Sequence, residues 1–233
     1  MKTTIKMRFI AVIAFALIAV ATPITFVGKT PSSEISLVGR QITGSTENEL
    51  TAGACRDIIF IFARGSTEIG NMGTIVGPGV ANRLRRRVGS SRVAVQGVNY
   101  AALIPTNYLP GGTDAASEAA MKGLLNLTHT KCPNSQIVTG GYSQGGAVNH
   151  RAIEDISAAI KDQIKAVVLF GDTQKLRDGH QIPSFPVSKT KFFCAGGLDQ
   201  VCNGVLSAAV LTPHLSYGVN AVEAGDWLAD HVI

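Results

Sequence analysis

The stretch TGGYSQGGAVNH, residues 139–150, places one serine, Ser143, among four glycines. Apolar residues precede it, and apolar residues at helical spacing follow it. The five residues Gly141 to Gly145 match the pattern G-x-S-x-G, which holds a serine on a strained turn between a strand and a helix. Glycine is needed two residues to either side, because larger side chains would collide with the neighbouring strand and helix. The alternative is a glycine-rich connection in which Ser143 caps the helix.

Apolar runs alternate with segments of helical periodicity along the chain from residue 57. We predict strands at 57–62, 92–98, 136–139, 164–170 and 191–195, and helices at 78–87, 113–127, 147–160 and 216–230. The last helix is expected to pack through Val219, Val222 and Leu228. This alternation predicts a single α/β domain with a mainly parallel central sheet and helices on both faces.

The N-terminus has the layout of a secretory signal peptide. Lys2, Lys6 and Arg8 precede an apolar run over 9–20, and small residues then offer a cleavage site. We therefore expect a signal peptide at 1–21, a pro-segment or flexible tail at 22–50 and the folded domain at 51–233. An uncleaved anchor is the alternative, since apolar residues continue to position 27, but Pro23 favours cleavage.

The net charge gives no reason to expect a nucleic-acid partner. The formal net charge is +5, and the signal region carries three of the positive charges and no acidic residue, which leaves +2 for the mature chain. Such a mild excess gives no reason to expect nucleic-acid binding. We also expect no stable membrane association and a monomeric protein.

All four cysteines lie beyond the signal region, and an even number in a secreted chain predicts two disulfides. Three pairings are open. Cys194–Cys202 is preferred because it closes a short loop, which leaves Cys55–Cys132. No CxxC spacing suggests a zinc site, and we expect no metal. Asn126 begins an N-glycosylation sequon whose occupancy the sequence leaves open.

A serine hydroxyl needs a base to become a nucleophile, and the chain offers five histidines. On this kind of turn the chain order is serine, then acid, then histidine. His214 follows an apolar stretch and precedes the last helix, so it is preferred over His180, which lies in a polar loop. We expect His129, His150 and His231 to be surface residues.

The acid that orients the histidine has two candidates, each following a predicted strand. Asp172 follows the strand at 164–170, and Asp199 follows the strand at 191–195. Asp199 is preferred because the acid usually follows the later strand and because it lies inside the expected Cys194–Cys202 loop. Asp172 would then make a loop hydrogen bond. For the oxyanion we expect donors at Gln144, through its backbone N–H, and at Ser66, through its N–H and hydroxyl.

The chain resembles the fungal cutinase family, over nearly all of residues 55 to 230. The segments that carry the resemblance are 57–68 with Gly70-Asn71 and Gly77-Pro78, 140–146, 165–171 with Ile182-Pro183, 189–202, and Pro213-His214-Leu215-Ser216-Tyr217.

The resemblance implies a secreted three-layer α/β/α hydrolase that cleaves esters without a metal or cofactor. The family's nucleophile, acid and base fall on Ser143, Asp199 and His214. Its oxyanion donors fall on Ser66 and Gln144, and its disulfides on Cys55–Cys132 and Cys194–Cys202.

The substrate that the resemblance implies is cutin, a hydroxy-fatty-acid polyester, so the expected partner is an insoluble polyester or a small ester. An acetylxylan esterase or a general short-chain carboxylesterase on the same fold is the alternative. A non-catalytic secreted elicitor or binding protein is a third hypothesis.

The chain departs from the family pattern around the acid and the base. The stretches from Cys194 to Asp199 and from Cys202 to His214 are slightly longer than in the family, so loops of a different shape are expected there. Apolar residues of the surrounding loops either receive an acyl chain or simply pack the loops. These are Leu103, Ile104, Leu206, Val210 and Leu211.

Overall fold

The computed structural model describes residues 42–232, in which five parallel strands form one sheet with the order β2-β1-β3-β4-β5. The strands are β1 (Ile58–Ala63), β2 (Val93–Gly97), β3 (Gln136–Tyr142), β4 (Ile164–Phe170) and β5 (Thr190–Phe193). The three central strands are almost entirely buried, because helices cover both faces of the sheet. The α/β class and the parallel sheet predicted from the sequence are confirmed.

Seven α-helices and several 3-10 turns connect and cover the strands within the described residues. The α-helices are α1 (Glu49–Ala52), α2 (Gly77–Val88), α3 (Ala115–Lys131), α4 (Gln144–Glu154), α5 (Ala158–Gln163), α6 (Thr212–Leu215) and α7 (Ala221–Asp230). The 3-10 turns are Ser90–Arg92, Ile104–Tyr108, Val187–Lys189, Ala195–Gly197, Gln200–Asn203, Leu206–Val210 and Tyr217–Asn220.

Alternate residues of β1 enter two separate cores, because successive side chains of a strand point to opposite faces. Phe60 and Phe62 pack with the apolar residues of α2 and α7. Ile59 and Ile61 pack with those of α3, α4 and α5 on the other face. The result is the expected three-layer α/β/α arrangement.

Two helix predictions are wrong in detail. The helix expected over 147–160 is interrupted, since α4 ends at Glu154 and Ser157 begins α5 as its N-cap. Of the three residues expected to pack the last helix, Leu228 is buried, whereas Val222 is 51% exposed and Val219, which lies before α7 in the turn Tyr217–Asn220, is 81% exposed. The buried face of α7 otherwise carries small residues, and they allow α7 to approach α2 closely: a Cβ on Gly79 of α2 would lie 2.8 Å from that of Ala221.

Residues 47–50, just before the domain start at 51 expected from the sequence, pack against the sheet. The segment before α1 covers the exposed edge of β2, where the Gly97 N–H donates to the Glu47 carbonyl at 2.9 Å and Asn48 forms an antiparallel bridge with Gln96. Leu50 is 1% exposed. The segment lacks periodicity because its backbone pairs with the N–H and C=O groups at the edge of β2 and does not form a long helix or strand of its own.

The signal peptide expected at 1–21, and the part of the expected tail up to residue 41, lie outside the described residues. Across residues 42–232, no helix combines the length and the apolar character needed to cross a bilayer. Asn126 lies on the exposed side of α3, where its side-chain amide donates to the Lys122 carbonyl at 2.8 Å. Its glycosylation stays a prediction.

Candidate active site

Ser143 stands alone between β3 and α4, in the strand–turn–helix context that the sequence predicted. Its backbone angles are φ 54° and ψ −117°, and a positive φ is strained for a residue with a side chain. The Ser143 N–H donates to the Phe170 carbonyl at 2.8 Å, which ties the turn to β4. Ser143 occupies the N-cap position of α4, but its side chain makes no capping hydrogen bond, so its hydroxyl is not used as a helix cap.

Close backbone packing explains the glycines around Ser143. A Cβ on Gly145 would lie 2.0 Å from the Ala63 carbonyl oxygen, and one on Gly141 would lie 2.3 Å from the Gly145 carbonyl oxygen. These contacts confirm that glycine is required two residues to either side. Gly140 and Gly146 are also constrained, the first by Phe62 at 2.9 Å and the second by Asp172 at 2.5 Å.

Asp199 and His214 form a buried pair beyond the ends of β4 and β5. The His214 Nδ1 lies 2.8 Å from the Asp199 Oδ2, and the two residues are 2% and 1% exposed. Gly171 makes room for the pair, because a Cβ there would lie 2.6 Å from the imidazole and 2.8 Å from the Asp199 Oδ2. The structure thus joins the histidine and the carboxylate that the sequence analysis preferred.

The Asp199 carboxylate accepts three hydrogen bonds: from His214, from the Tyr217 hydroxyl at 2.6 Å, and from the Val201 N–H at 3.0 Å. Burial raises the pKa of Asp199, but the bonds from His214, Tyr217 and Val201 outweigh burial and hold its pKa below the usual value. The carboxylate is therefore ionised at neutral pH.

Both expected disulfides are present. Cys194–Cys202 has a Cα–Cα distance of 6.0 Å and encloses Asp199, so the acid lies in a covalently closed loop. Cys55–Cys132 has a Cα–Cα distance of 5.6 Å and joins the segment before β1 to the end of α3.

Ser66 and Gln144, the expected oxyanion donors, lie in the loop after β1 and at the first position of α4. A first-position N–H has no acceptor within its own helix, so the Gln144 N–H is free to serve a ligand. The Gln144 side chain donates to the Leu103 carbonyl at 2.9 Å and to the Thr106 hydroxyl. Asn107 donates to the Ser66 hydroxyl at 2.9 Å. Sequence patterns do not reveal Asn107, because a lone asparagine in a loop belongs to no motif or periodic run.

A cavity of about 540 Å³ brings Ser143, His214 and Ser66 to one surface. That volume suits a small-molecule site. Three of the five apolar loop residues expected around an acyl site line it, namely Ile104, Leu206 and Val210, whereas Leu103 and Leu211 are not among its lining residues. The other ring nitrogen of His214, Nε2, is buried and makes no hydrogen bond within the described part of the chain.

His150 is fully buried, so its expected place on the surface is wrong. Its Nε2 lies 2.8 Å from the Asp172 Oδ2, and its Nδ1 lies 2.6 Å from the Asp178 Oδ2. Asp172 also accepts the Gln174 N–H at 2.9 Å, the kind of loop hydrogen bond expected of it. The competing acid therefore belongs to a second histidine cluster and does not contact His214.

The order serine, acid, histidine along the chain distinguishes one class of hydrolase from other folds that use the same residue types in other orders. Ser143, Asp199 and His214 follow that order on a parallel sheet covered by helices on both faces. The protein is an α/β hydrolase.

Comparison with known proteins identifies the family within the α/β hydrolase class. The family model for cutinase matches residues 54–232. Probable cutinase 1 from Aspergillus niger is 45% identical over 222 residues, covering 94% of this chain and 81% of its own length. Cutinase 3 from Emericella nidulans is 46% identical over 231 residues, covering 97% and 99%. The chain belongs to the cutinase family and is a carboxylic ester hydrolase.

Solved structures agree with this assignment. Trichoderma reesei cutinase in complex with a C11Y4 phosphonate inhibitor matches with a TM-score of 0.70 and 34% identity, over 82% of this chain and 81% of its own. An acetyl xylan esterase matches with a TM-score of 0.57 and 21% identity, over 77% of this chain and 100% of its own. The second likeness shows the shared fold alone.

Proposed function

We propose that the protein is a secreted serine esterase that hydrolyses the ester bonds of cutin through an acyl-enzyme intermediate. The observation that carries the proposal is the strained Ser143 beside a cavity that His214 also lines, with His214 bonded to a buried, ionised Asp199. Family membership supports the same reaction, since the named relatives are cutinases.

In the proposed first step, the Ser143 hydroxyl oxygen attacks the ester carbonyl while His214 Nε2 takes its proton. The carbonyl oxygen becomes an oxyanion, which accepts hydrogen bonds from Gln144 and Ser66. The carbon–oxygen bond to the alcohol then breaks, and the His214 proton passes to the leaving alcohol. Asp199 stays ionised and holds the imidazolium in place.

In the second step, His214 takes a proton from water, and the resulting hydroxide attacks the acyl carbonyl. The bond to Ser143 breaks, its oxygen receives the proton back from His214, and the carboxylic acid leaves. No oxidation occurs, and in each step His214 takes one proton and gives it back.

Part of the cavity lining is apolar and offers a surface for an acyl chain. Ile104 and Val210 line the cavity and are 56% and 78% exposed, and Leu206 and Leu215 also line it. Polar side chains, among them Glu68 and Asn107, share the lining, so the choice between a fatty acyl ester and an acetylated sugar falls to the substrate series.

A p-nitrophenyl ester series from acetate upward, together with release of soluble product from a cutin or polyester film, tests the proposal. We expect activity on short to medium acyl chains and release from the film. Activity confined to acetate would favour the acetylxylan esterase alternative.

Two serine variants test the mechanism. We expect Ser143→Ala to lower kcat at least about 10⁴-fold, because the nucleophile is lost. Ser188→Ala, on an exposed 3-10 turn, is the matched control and should retain activity. Unchanged hydrolysis by Ser143→Ala would refute the mechanism, whereas no hydrolysis by the unmodified protein would favour the non-catalytic hypothesis.

Secretion and a monomeric state belong to the same proposal. The two disulfides support an oxidising, extracellular environment. Mass spectrometry of the mature protein from the culture medium would locate its N-terminus, which lies directly after residue 21 if 22–50 is a flexible tail and near residue 51 if it is a pro-segment. A mass near that of one chain in light scattering would support the monomer.

A further inference from the structure

The Asp199 Oδ2 accepts hydrogen bonds from two side chains, although a histidine–acid pair needs only one. The His214 Nδ1 donates to it at 2.8 Å and the Tyr217 hydroxyl donates to it at 2.6 Å. The Val201 N–H serves the other oxygen, Oδ1, at 3.0 Å. The tyrosine bond is the shortest of the three, and bonds to a charged acceptor are stronger than neutral ones.

The Tyr217 ring is held in one orientation by other aromatic rings. It is 0% exposed, and it meets the rings of Phe170 and Tyr142 edge-on at centroid distances of 5.8 and 5.9 Å. The His214 ring lies 6.2 Å away at an interplanar angle of 88°. Because the ring is fixed by packing, its hydroxyl is a preorganised donor toward Asp199.

We propose that Tyr217 is a positioning residue for ester hydrolysis, whose hydroxyl fixes Oδ2 of Asp199 and shares the negative charge of that oxygen with His214. The inference rests on the proposed function, because it assigns His214 the role of base. It adds a residue to the set of nucleophile, base and acid formed by Ser143, His214 and Asp199, and Tyr217 acts only through Asp199.

The charges around the pair are consistent with this role. Burial and the nearby Asp199 raise the pKa of Tyr217, so its phenol remains a donor at working pH. Burial also raises the pKa of Tyr142, so this phenol is neutral. Its ring lies 5.1 Å from that of His214. Glu68 lines the same cavity, but its carboxylate accepts three backbone N–H groups, from Gly65, Thr74 and Ile75.

Removing the Tyr217 hydroxyl should leave more negative charge on Oδ2 for the His214 imidazolium. The protonated histidine is then stabilised, and a higher pH is needed to generate the free base. For Tyr217→Phe we expect kcat/KM on a soluble p-nitrophenyl ester to fall about tenfold, mostly through kcat, and the acid limb of its pH profile to rise by roughly 0.5–1 unit.

A second change keeps the test valid if Tyr217→Phe does not fold. 3,5-Difluorotyrosine introduced at position 217 is nearly isosteric and is a stronger donor. It should move the acid limb to lower pH, opposite to the phenylalanine variant. A purely structural role for Tyr217 predicts reduced unfolding temperatures without these opposite shifts.

Tyr100→Phe is the matched control. It removes another phenol whose hydroxyl is in a hydrogen bond, but this hydroxyl donates to the Arg64 carbonyl, and Tyr100 is not among the residues that line the cavity. We expect its acid limb to match that of the unmodified protein. Acid limbs that stay within about 0.1 unit in both Tyr217 proteins would overturn the inference while Ser143→Ala remains inactive. An active Ser143→Ala would instead overturn the proposed function.

Discussion

His150 should make the stability of this protein strongly dependent on pH. It lies on α4, seven positions after Ser143, and both of its ring nitrogens face carboxylates, Asp172 at 2.8 Å and Asp178 at 2.6 Å. A carboxylate accepts hydrogen bonds, so both nitrogens carry a proton and the ring is an imidazolium. Arg151 also contacts Asp178, and Phe192 packs near the ring at 6.2 Å.

The magnitude follows from the pKa of His150 in the folded and unfolded states. Burial by itself would lower the pKa of His150, but Asp172 and Asp178 raise it to about 9. The unfolded value is about 6.5, and each unit corresponds to about 1.4 kcal/mol, so the shift represents about 3 kcal/mol. Because the folded pKa is the higher one, this stabilisation is present below about pH 6.5 and is lost as the pH rises through about 9.

His150→Gln isolates this contribution, because glutamine keeps hydrogen-bonding capacity but cannot carry the charge. We expect the variant to be less stable than the unmodified protein at pH 6, and the difference between the two to shrink by about 3 kcal/mol by pH 10. In thermal unfolding followed by circular dichroism, this corresponds to a change of roughly 6–12 °C in the difference between their Tm values.

A difference in stability that is the same at pH 6 and pH 10 would refute the charge assigned to His150. His180→Gln provides the control, since it removes an imidazole from an exposed loop. It should stay within about 0.5 kcal/mol of the unmodified protein at neutral pH.

Two further changes test how the turn and the acid loop are built. Gly145→Ala should destabilise the fold by about 3 kcal/mol or more in urea unfolding, because its Cβ would meet the Ala63 carbonyl at 2.0 Å. Gly123→Ala, in α3 with open space around it, should instead add up to about 1 kcal/mol, and equal effects would contradict the packing argument. Replacing Cys194 and Cys202 with serine should cost about 2.5 kcal/mol, from a loop with a sequence separation of 8, and should lower kcat by loosening Asp199. Full kcat in that variant would show that the disulfide does not position the acid.

Local patterns were enough to locate the strands and the nucleophile turn. The apolar runs predicted β1 and β4 within a residue or two, because a strand covered on both faces must be apolar along its whole length. The prediction for the last helix was wrong about its valines. Val219 lies before α7 and Val222 is exposed, because close approach to α2 selects mainly alanine and glycine, with Leu228, for the buried face.

Contacts between distant segments account for what sequence patterns missed. The edge of β2 is completed by residues before α1, which have no periodicity of their own. Asn107 contacts Ser66 from a loop 41 positions away, and nothing nearby in the chain marks it. Such contacts depend on where the loops end in space, which periodicity does not encode.

The sequence by itself determined the strand–serine–helix turn and the order of acid and histidine after it, and it favoured one of the three possible cysteine pairings. These follow from spacing and residue chemistry, which are properties of the chain. Only the tertiary structure decided that His150 is buried between two carboxylates and that Tyr217 shares an oxygen of Asp199 with His214. Both arrangements arise because loops at the carboxyl ends of parallel strands converge on one edge of the sheet, and there burial and neighbouring charges set the protonation of each group.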